Sequence, residues 1–103
     1  MQVIAFIGSS KLKKEILALA SRYERQGNVC IMSHIFSHAD GYELTDDEVE
    51  NALINGHVRI DMCDRVILVK KDGHVGRSTM EEKRYAYKYH KPVQEIDVTG
   101  GIY

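Results

Sequence analysis

Apolar and polar positions alternate along the chain in an order that predicts strands and helices in turn. Apolar runs of strand length, bounded by glycine, proline or polar residues, cover residues 2–7, 29–32, 66–69 and 93–96. The longer segments between them carry apolar residues three and four positions apart, which is the spacing of one helix face. The predicted order is therefore β-α-β-α-β-α-β.

Local signals mark the ends of the first two helices. Ser9 or Ser10 can cap the first helix, and Gly27 follows as its stop signal. Thr45 and Glu48 have the spacing of a capping box at the start of the second helix. The faces predicted to be buried comprise Leu12, Ile16, Leu19, Ala20 and Tyr23 in the first helix, Val49, Ala52, Leu53, Gly56 and Ile60 in the second, and Tyr85, Ala86 and Tyr89 in the third.

Strands separated by whole helices run parallel, because a tight hairpin cannot join them. Right-handed crossovers then place helices on both faces of the sheet. A chain of 103 residues fits one domain of this kind. We therefore predict a single α/β domain over residues 1–103, a small doubly wound, flavodoxin- or Rossmann-like parallel sheet of four to five strands.

Charge and composition narrow the range of possible binding partners. Fourteen Lys and Arg against fifteen Asp and Glu give a net charge of −1, which argues against a nucleic acid polymer as ligand. No apolar run is long enough for a membrane helix, and the N-terminus lacks a signal-peptide pattern. We expect a cytoplasmic protein without a membrane partner. Cys30 and Cys63 are interpreted as reduced, buried thiols rather than a disulfide or metal ligands.

Polar residues follow the predicted strands at the edge where open α/β sheets bind ligands. Gly8, Ser9 and Ser10 follow the first strand, His34 follows the second, and residues 71–78 follow the third. Free N–H groups at a helix start suit phosphate or carboxylate, although Gly8-Ser9-Ser10 is equally compatible with an ordinary turn and N-cap. The full dinucleotide-binding and Walker patterns are absent, and we expect no cofactor.

His34 and His38 are four residues apart, with Asp40 beyond them. On a helix this spacing could hold a metal ion. The segment has the composition of a loop, however, and no further ligand is evident. We expect no metal site here, and interpret the histidines as lining a pocket or facing solvent.

Glu82 shares a helix stripe with Tyr85 and Ala86, which are predicted to face the sheet. A carboxylate in such a place is costly unless it is paired or faces a cleft. If Thr79 is the N-cap, Glu82 is its capping-box partner. If Ser78 is the N-cap, Glu81 takes that role and leaves Glu82 free, which is the interpretation that we favour.

Several motifs together resemble the nucleoside 2-deoxyribosyltransferase-like superfamily. They are the early Phe6-Ile-Gly8-Ser9, residues 57–69, residues 73–86 and Lys91-Pro92-Val93. The most specific part is the pattern G-x-S-T-x-x-E-x-x-Y-A, which runs from Gly76 to Ala86. The resemblance covers most of the chain.

The resemblance implies a doubly wound parallel sheet in subunits that complete one another's sites, hence a homodimer or higher homo-oligomer. It implies that the substrate is a nucleoside or nucleotide, and that Glu82 attacks the anomeric carbon of a deoxyribose and releases the base. Related members hydrolyse deoxynucleoside monophosphates and hold phosphate with serines and backbone N–H groups. The predicted substrate and phosphate site comprises Gly8, Ser9, Ser10, His34, Gly76, Arg77, Ser78 and Thr79.

The chain also departs from the superfamily pattern. Active transferases carry further aspartates in the second helix and just before the glutamate, where this chain has Gly56 or His57 and then Gly76. Three interpretations follow: an enzyme that cleaves or transfers an N-glycosidic bond, a nucleotide- or sugar-phosphate-binding module without turnover, or a structural homodimer. His34 and His38 are the candidate proton donors for the leaving base.

Overall fold

Four parallel strands form the sheet in a computed structural model, which describes residues 1–101. The strands are β1 (Val3–Gly8), β2 (Val29–Ile31), β3 (Arg65–Lys70) and β4 (Val93–Asp97). Their spatial order is β2-β1-β3-β4, with every neighbouring pair parallel. This is the order of the first four strands of flavodoxin-like sheets, and it confirms the predicted doubly wound α/β fold.

Helices connect the strands and cover both faces of the sheet. They are α1 (Lys13–Arg25), α2 (Ser37–Asp40), α3 (Asp46–Met62) and α4 (Arg77–Lys88), with short 3-10 helices at Ser10–Leu12 and Thr99–Gly101. The one-turn α2 lies where the sequence predicted only a loop. None of the helices formed by residues 1–101 combines the length and hydrophobicity needed to cross a membrane. The predicted irregular tail extends to residues 102 and 103, which lie outside the described residues.

Two apolar layers, one on each face of the sheet, hold the helices in place. Successive side chains of a strand point to opposite faces, so the buried runs of β1 and β3 supply both layers. One layer joins Ile4, Phe6, Ile67 and Val69 to Leu12, Ile16, Leu19 and Ala20 of the α1 side. The other joins Ala5, Ile7, Val66 and Leu68 to Ile60 of α3 and Ala86 of α4.

The crevice of this fold lies where the chain leaves β1 and β3 in different directions. β1 pairs with β2 on one side and β3 on the other, and Gly8 at its end is in register with Val69. A Cβ atom at Gly8 would lie 2.8 Å from the carbonyl oxygen of Val69, so only glycine fits this close approach. The loops that follow β1 and β3 therefore start side by side and then diverge, which is the ligand-binding position of open α/β sheets.

The predicted buried face of α3 is only partly correct. Gly56 and Ile60 are buried, but Val49 is 53% exposed and Leu53 is 41% exposed. The reason is that Val49, Ala52 and Leu53 line a cleft instead of covering the sheet. Helical spacing identified the correct face of α3, but it did not show that part of this face lines a cleft.

Two smaller predictions about burial also need correction. Tyr89 was expected in the buried stripe of α4, but it is the C-cap residue and is exposed. Its ring packs against the ring of Tyr85, with centroids 4.7 Å apart. Both cysteines are free thiols, and Cys63 is buried as predicted. Cys30 is half-buried because β2 is a short strand at the edge of the sheet.

Candidate functional site

A cleft of about 710 Å³ opens at the carboxyl ends of β1 and β3. Its polar side comes from the end of β1 and the start of α4, and its opposite wall comes from residues 32–44 and the first half of α3. The predicted site residues that line this cleft are Gly8, Ser9, Ser10, Gly76, Arg77, Ser78, Thr79 and Glu82. The sheet topology thus brings together loops that are nearly seventy residues apart in the chain.

His34 is the predicted site residue that lies outside this cleft. It is exposed and lines a neighbouring pocket of about 450 Å³ beside the edge strand β2. His38 lines the main cleft instead, because α2 turns the chain back towards β1. Of the two candidate proton donors, His38 is therefore the one placed among the other predicted site residues.

Two serines at the end of β1 have different hydrogen-bonding partners. Ser9 caps the 3-10 helix, and its hydroxyl oxygen accepts a hydrogen bond from the Lys11 N–H at 3.2 Å. The Ser10 hydroxyl accepts a hydrogen bond from the backbone N–H of His38 at 3.2 Å and also contacts Nδ1 of the same residue. Ser10 and His38 thus form a polar pair on the cleft wall.

The start of α4 differs from the sequence prediction. Gly76 is the N-cap and no side chain caps the helix, so the capping boxes proposed for Ser78 with Glu81 and for Thr79 with Glu82 are both wrong. The first intrahelical bond runs from the Met80 N–H to the Gly76 carbonyl at 2.9 Å. The N–H groups of residues 77–79 consequently have no intrahelical partner, and these residues line the cleft.

Glu82 and its neighbour Glu81 have separate environments. Glu81 is exposed at the edge of the cleft and accepts a hydrogen bond from Arg84 at 2.7 Å. Glu82 faces α3, and its Oε2 atom lies 2.8 Å from the position that a Cβ at Gly56 would occupy. The hydrogen bonds and ion pairs among residues 1–101 include none made by the Glu82 side chain. Glu82 is thus a partly buried carboxylate in the cleft without a capping role.

Burial dominates the electrostatics of Glu82. It raises the pKa of the Glu82 carboxyl group to about 7, while the nearby charge of Arg59 acts in the opposite direction. Burial also lowers the pKa of Arg59, and Glu82 in turn opposes that change. A carboxyl group with a pKa close to neutral can exist in either protonation state at physiological pH, which is a property typical of reactive groups.

A contact between α3 and α4 lies one turn beyond Glu82. The ring of Tyr85 stacks on His57 with centroids 4.0 Å apart, and its hydroxyl donates a hydrogen bond to Asp61 at 2.7 Å. This hydrogen bond raises the pKa of Tyr85 to about 12. Tyr85 of α4 thus contacts both His57 and Asp61 of α3. These contacts fix α3 against α4 beside the close approach of Glu82 to Gly56.

Arg59 and the apolar wall of the cleft were not predicted from the sequence. Arg59 lines the cleft and lies three residues after Gly56, so the helix repeat alone could have placed the two on one side of α3. The apolar wall comprises Met32, Ile35, Phe36, Leu44, Val49, Ala52 and Leu53. An apolar wall and unpaired helix N–H groups in one cleft fit a ligand that has both an apolar part and an anionic part.

No cluster of three His, Cys, Asp or Glu side chains within residues 1–101 is arranged to hold a metal ion. Asp40, considered above with His34 and His38, forms an ion pair with Lys13 at 2.9 Å. Comparison of the sequence with protein-family models and with curated proteins found no match.

Proposed function

We propose that this protein binds a nucleoside or nucleotide in the cleft and cleaves or transfers its N-glycosidic bond, with Glu82 as the nucleophile. The observation that carries the proposal is a partly buried Glu82 carboxylate that lines the cleft and does not cap its helix. A carboxylate suits attack at an anomeric carbon, because the transition state resembles an oxocarbenium ion and the resulting ester can be displaced. The motif from Gly76 to Ala86 supports the same role by resemblance.

The proposed reaction has two steps. A Glu82 carboxylate oxygen bonds to the anomeric carbon while the bond from that carbon to the base nitrogen breaks, and the base leaves with the electron pair and gains a proton. Water, or a second base in a transfer reaction, then attacks the same carbon, and the ester bond breaks to restore the carboxylate.

Only ionised Glu82 can attack, so a pKa of about 7 predicts a rate that rises with pH through neutrality. Of the two candidate proton donors, His38 is the one that lines the cleft, and we assign the proton transfer to it.

The two sides of the cleft suit the two ends of a nucleotide. The N–H groups of residues 77–79, the hydroxyl groups of Ser9 and Ser78, and the Arg77 guanidinium would hold a phosphate. The apolar wall of residues 32–53 would hold the base. This arrangement equally supports the alternative, a non-catalytic nucleotide- or sugar-phosphate-binding module. Active transferases carry aspartates where this chain has Gly56 or His57 and then Gly76, and this difference favours that alternative.

We also propose that the protein self-associates as a homodimer or higher oligomer. The exposed apolar side chains of α3 are Val49, Leu53, Ile54, Val58 and Met62. Tyr87 on α4 is likewise 54% exposed. Aromatic and apolar groups in contiguous exposed patches are typical of protein interfaces. Light scattering at micromolar concentration should give a multiple of the 11.7 kDa chain mass, and a monomer would contradict this part of the proposal.

A base-release assay tests the proposed activity. The protein is incubated separately with the four 2′-deoxynucleosides and with their 5′-monophosphates, and free base is measured by chromatography. We expect release from at least one substrate, and a stronger preference for monophosphates if the N–H groups of residues 77–79 hold phosphate. Binding of a monophosphate without any base release would favour the non-catalytic module, and absence of both would contradict the proposed function.

A further inference from the structure

Ser10 and His38 make two contacts with each other, although they are 28 residues apart in the chain. The backbone N–H of His38 donates a hydrogen bond to Oγ of Ser10 at 3.2 Å. The same Oγ atom is also hydrogen-bonded to Nδ1 of the His38 ring. Both residues line the cleft, where Ser10 is half-buried and His38 is exposed. One oxygen atom of Ser10 thus contacts both the backbone and the ring of His38.

The one-turn helix α2 that carries His38 is also held by other contacts. Lys13, the first residue of α1, forms an ion pair with Asp40 at 2.9 Å. The Lys13 ammonium group lies 5.6 Å from the centre of the Phe36 ring, and Phe36 is the buried N-cap residue of α2. The backbone of α2 therefore has anchors besides Ser10, and the bond to Nδ1 is not needed to keep this helix in place.

The two ring nitrogens of His38 have different surroundings. Nδ1 is bonded to Ser10, whereas the hydrogen bonds among residues 1–101 include none made by Nε2. The hydrogen bond made by one ring nitrogen sets the tautomer of a histidine and leaves the other nitrogen to exchange protons. A hydroxyl oxygen has two lone pairs, and the backbone N–H of His38 occupies one of them at Ser10. The second lone pair is available to accept an Nδ1–H group.

We propose that Oγ of Ser10 accepts the Nδ1–H group of His38 and thereby leaves Nε2 as the atom that exchanges a proton in the cleft. Ser10 is then the positioning residue of His38, not one of the phosphate contacts with which the sequence grouped it. Protonated His38 gives its Nε2 proton to the leaving base, and the neutral ring keeps its other hydrogen on Nδ1, where Ser10 already accepts it. The tautomer is independent of the proposed function, whereas this proton transfer rests on that function.

NMR of the His38 ring tests the tautomer without any need for turnover. Protein labelled with ¹⁵N at histidine is studied by long-range ¹H–¹⁵N correlation, with the pH raised until the ring is neutral, and His38→Gln identifies the signals. We expect the wild type to carry the hydrogen on Nδ1. Ser10→Ala should lose this preference and show both tautomers, whereas Ser10→Thr keeps the hydroxyl group and should retain the wild-type tautomer. A wild-type ring with its hydrogen on Nε2 overturns the proposal, as does an unchanged tautomer in Ser10→Ala.

Ser33 supplies a matched control on the same side of the cleft. Its hydroxyl oxygen also accepts a backbone N–H, from Ile35 at 3.0 Å, but the hydroxyl bonded to the His38 ring is that of Ser10. Ser33→Ala should therefore leave both ring nitrogens of His38 as they are in the wild type. Loss of the tautomer in Ser33→Ala as well would show a general disturbance of this wall and would overturn the specific role of Ser10.

The rate of base release separates this role from a phosphate contact. If the wild type is active, Ser10→Ala should lower kcat about tenfold with deoxynucleosides and monophosphates alike, because a general acid contributes about a hundredfold or more and loses part of this without its fixed orientation. KM should change little, and Ser10→Thr should keep most of the rate. A loss confined to monophosphates, or seen in KM alone, would make Ser10 a phosphate contact and overturn the proposal.

The NMR measurement and the base-release assay decide different claims. If the wild type releases no base from any substrate, the proposed function fails, while the ring nitrogens still show whether Ser10 fixes the Nδ1–H tautomer of His38. If base is released but the wild-type ring carries its hydrogen on Nε2, the proposed function stands and the role of Ser10 fails.

Discussion

The two faces of the sheet are covered in different ways, and the difference locates the candidate site. On one face, α1 buries Ile16, Leu19 and Ala20 against the strands in an ordinary apolar layer. On the other face, α3 is longer but buries only Gly56 and Ile60. The remaining apolar residues of α3 line the cleft or are exposed, and a carboxylate takes the place of an apolar contact between α3 and α4. We therefore expect the α1 face to contribute more of the stability and the α3 face to carry the proposed chemistry.

The largest effect is expected on activity from Glu82→Gln. This change preserves the shape of the side chain but removes the nucleophile, so base release should fall by about a thousandfold or more. The matched change Glu81→Gln alters an exposed carboxylate that pairs with Arg84, and it should retain most of the activity. Both rates are measured by chromatography under the same conditions. An active Glu82→Gln, or an inactive Glu81→Gln, would show that the wrong glutamate has been assigned.

The contrast between the faces can be measured with one leucine from each. Leu19 is 2% exposed in the α1 layer, so Leu19→Ala should lower the free energy of unfolding by about 3 kcal/mol. Leu53 is 41% exposed and lines the cleft, so Leu53→Ala should cost less than about 1 kcal/mol. Denaturant titration gives both values, and calorimetry with a deoxynucleoside monophosphate should show weaker binding for the Leu53 variant alone. Equal losses of stability would contradict the comparison.

The sequence predicts where a helix begins only when the signal for that start is local. The capping box of Thr45 and Glu48 was predicted correctly because its hydrogen bonds lie within three residues of each other. The start of α4 was missed because Gly76 caps it without a side chain, while Ser78 and Glu81 imitate a capping box. The alternation of strands and helices was sufficient to predict the parallel sheet and the edge at which the cleft opens.

The remaining site features depend on contacts between distant segments. Helical spacing placed Glu82 on an inward stripe, but it could not show that Gly56 lies opposite. It also grouped Val49 and Leu53 with the core, since periodicity does not distinguish a cleft from a packed sheet. The helix repeat places Arg59 on the same side of α3 as Gly56, but nothing in the sequence singles it out, because a charged residue on a helix usually faces solvent.

A smaller effect is expected in the pH dependence of stability. The folded-state pKa of Glu82, about 7, lies above the ordinary value of 4.5, so the folded protein retains a proton that the unfolded chain loses between these values. The free energy of unfolding should therefore fall as the pH rises through this window, and Glu82 should have no such effect below it. Partial solvent access reduces the full effect to about 2 kcal/mol.

Glu82→Gln removes this penalty. The variant should be about 2 kcal/mol more stable than the wild type at pH 8, and the difference should vanish towards pH 4. Urea unfolding followed by circular dichroism at a series of pH values measures it, with Glu81→Gln as the control that shows no such trend. A difference that is constant across the series would mean that the carboxyl group of Glu82 titrates normally.

Trapping of the covalent intermediate tests the central claim most directly. A deoxynucleoside or its monophosphate bearing fluorine at the 2′ carbon destabilises the oxocarbenium-like transition state and slows hydrolysis of the glycosyl ester. After incubation with this probe and digestion at low pH, mass spectrometry should find the sugar on Glu82, with free base released in equal amount. Base release without any adduct, or an adduct on another residue, would contradict the assignment of Glu82 as the nucleophile.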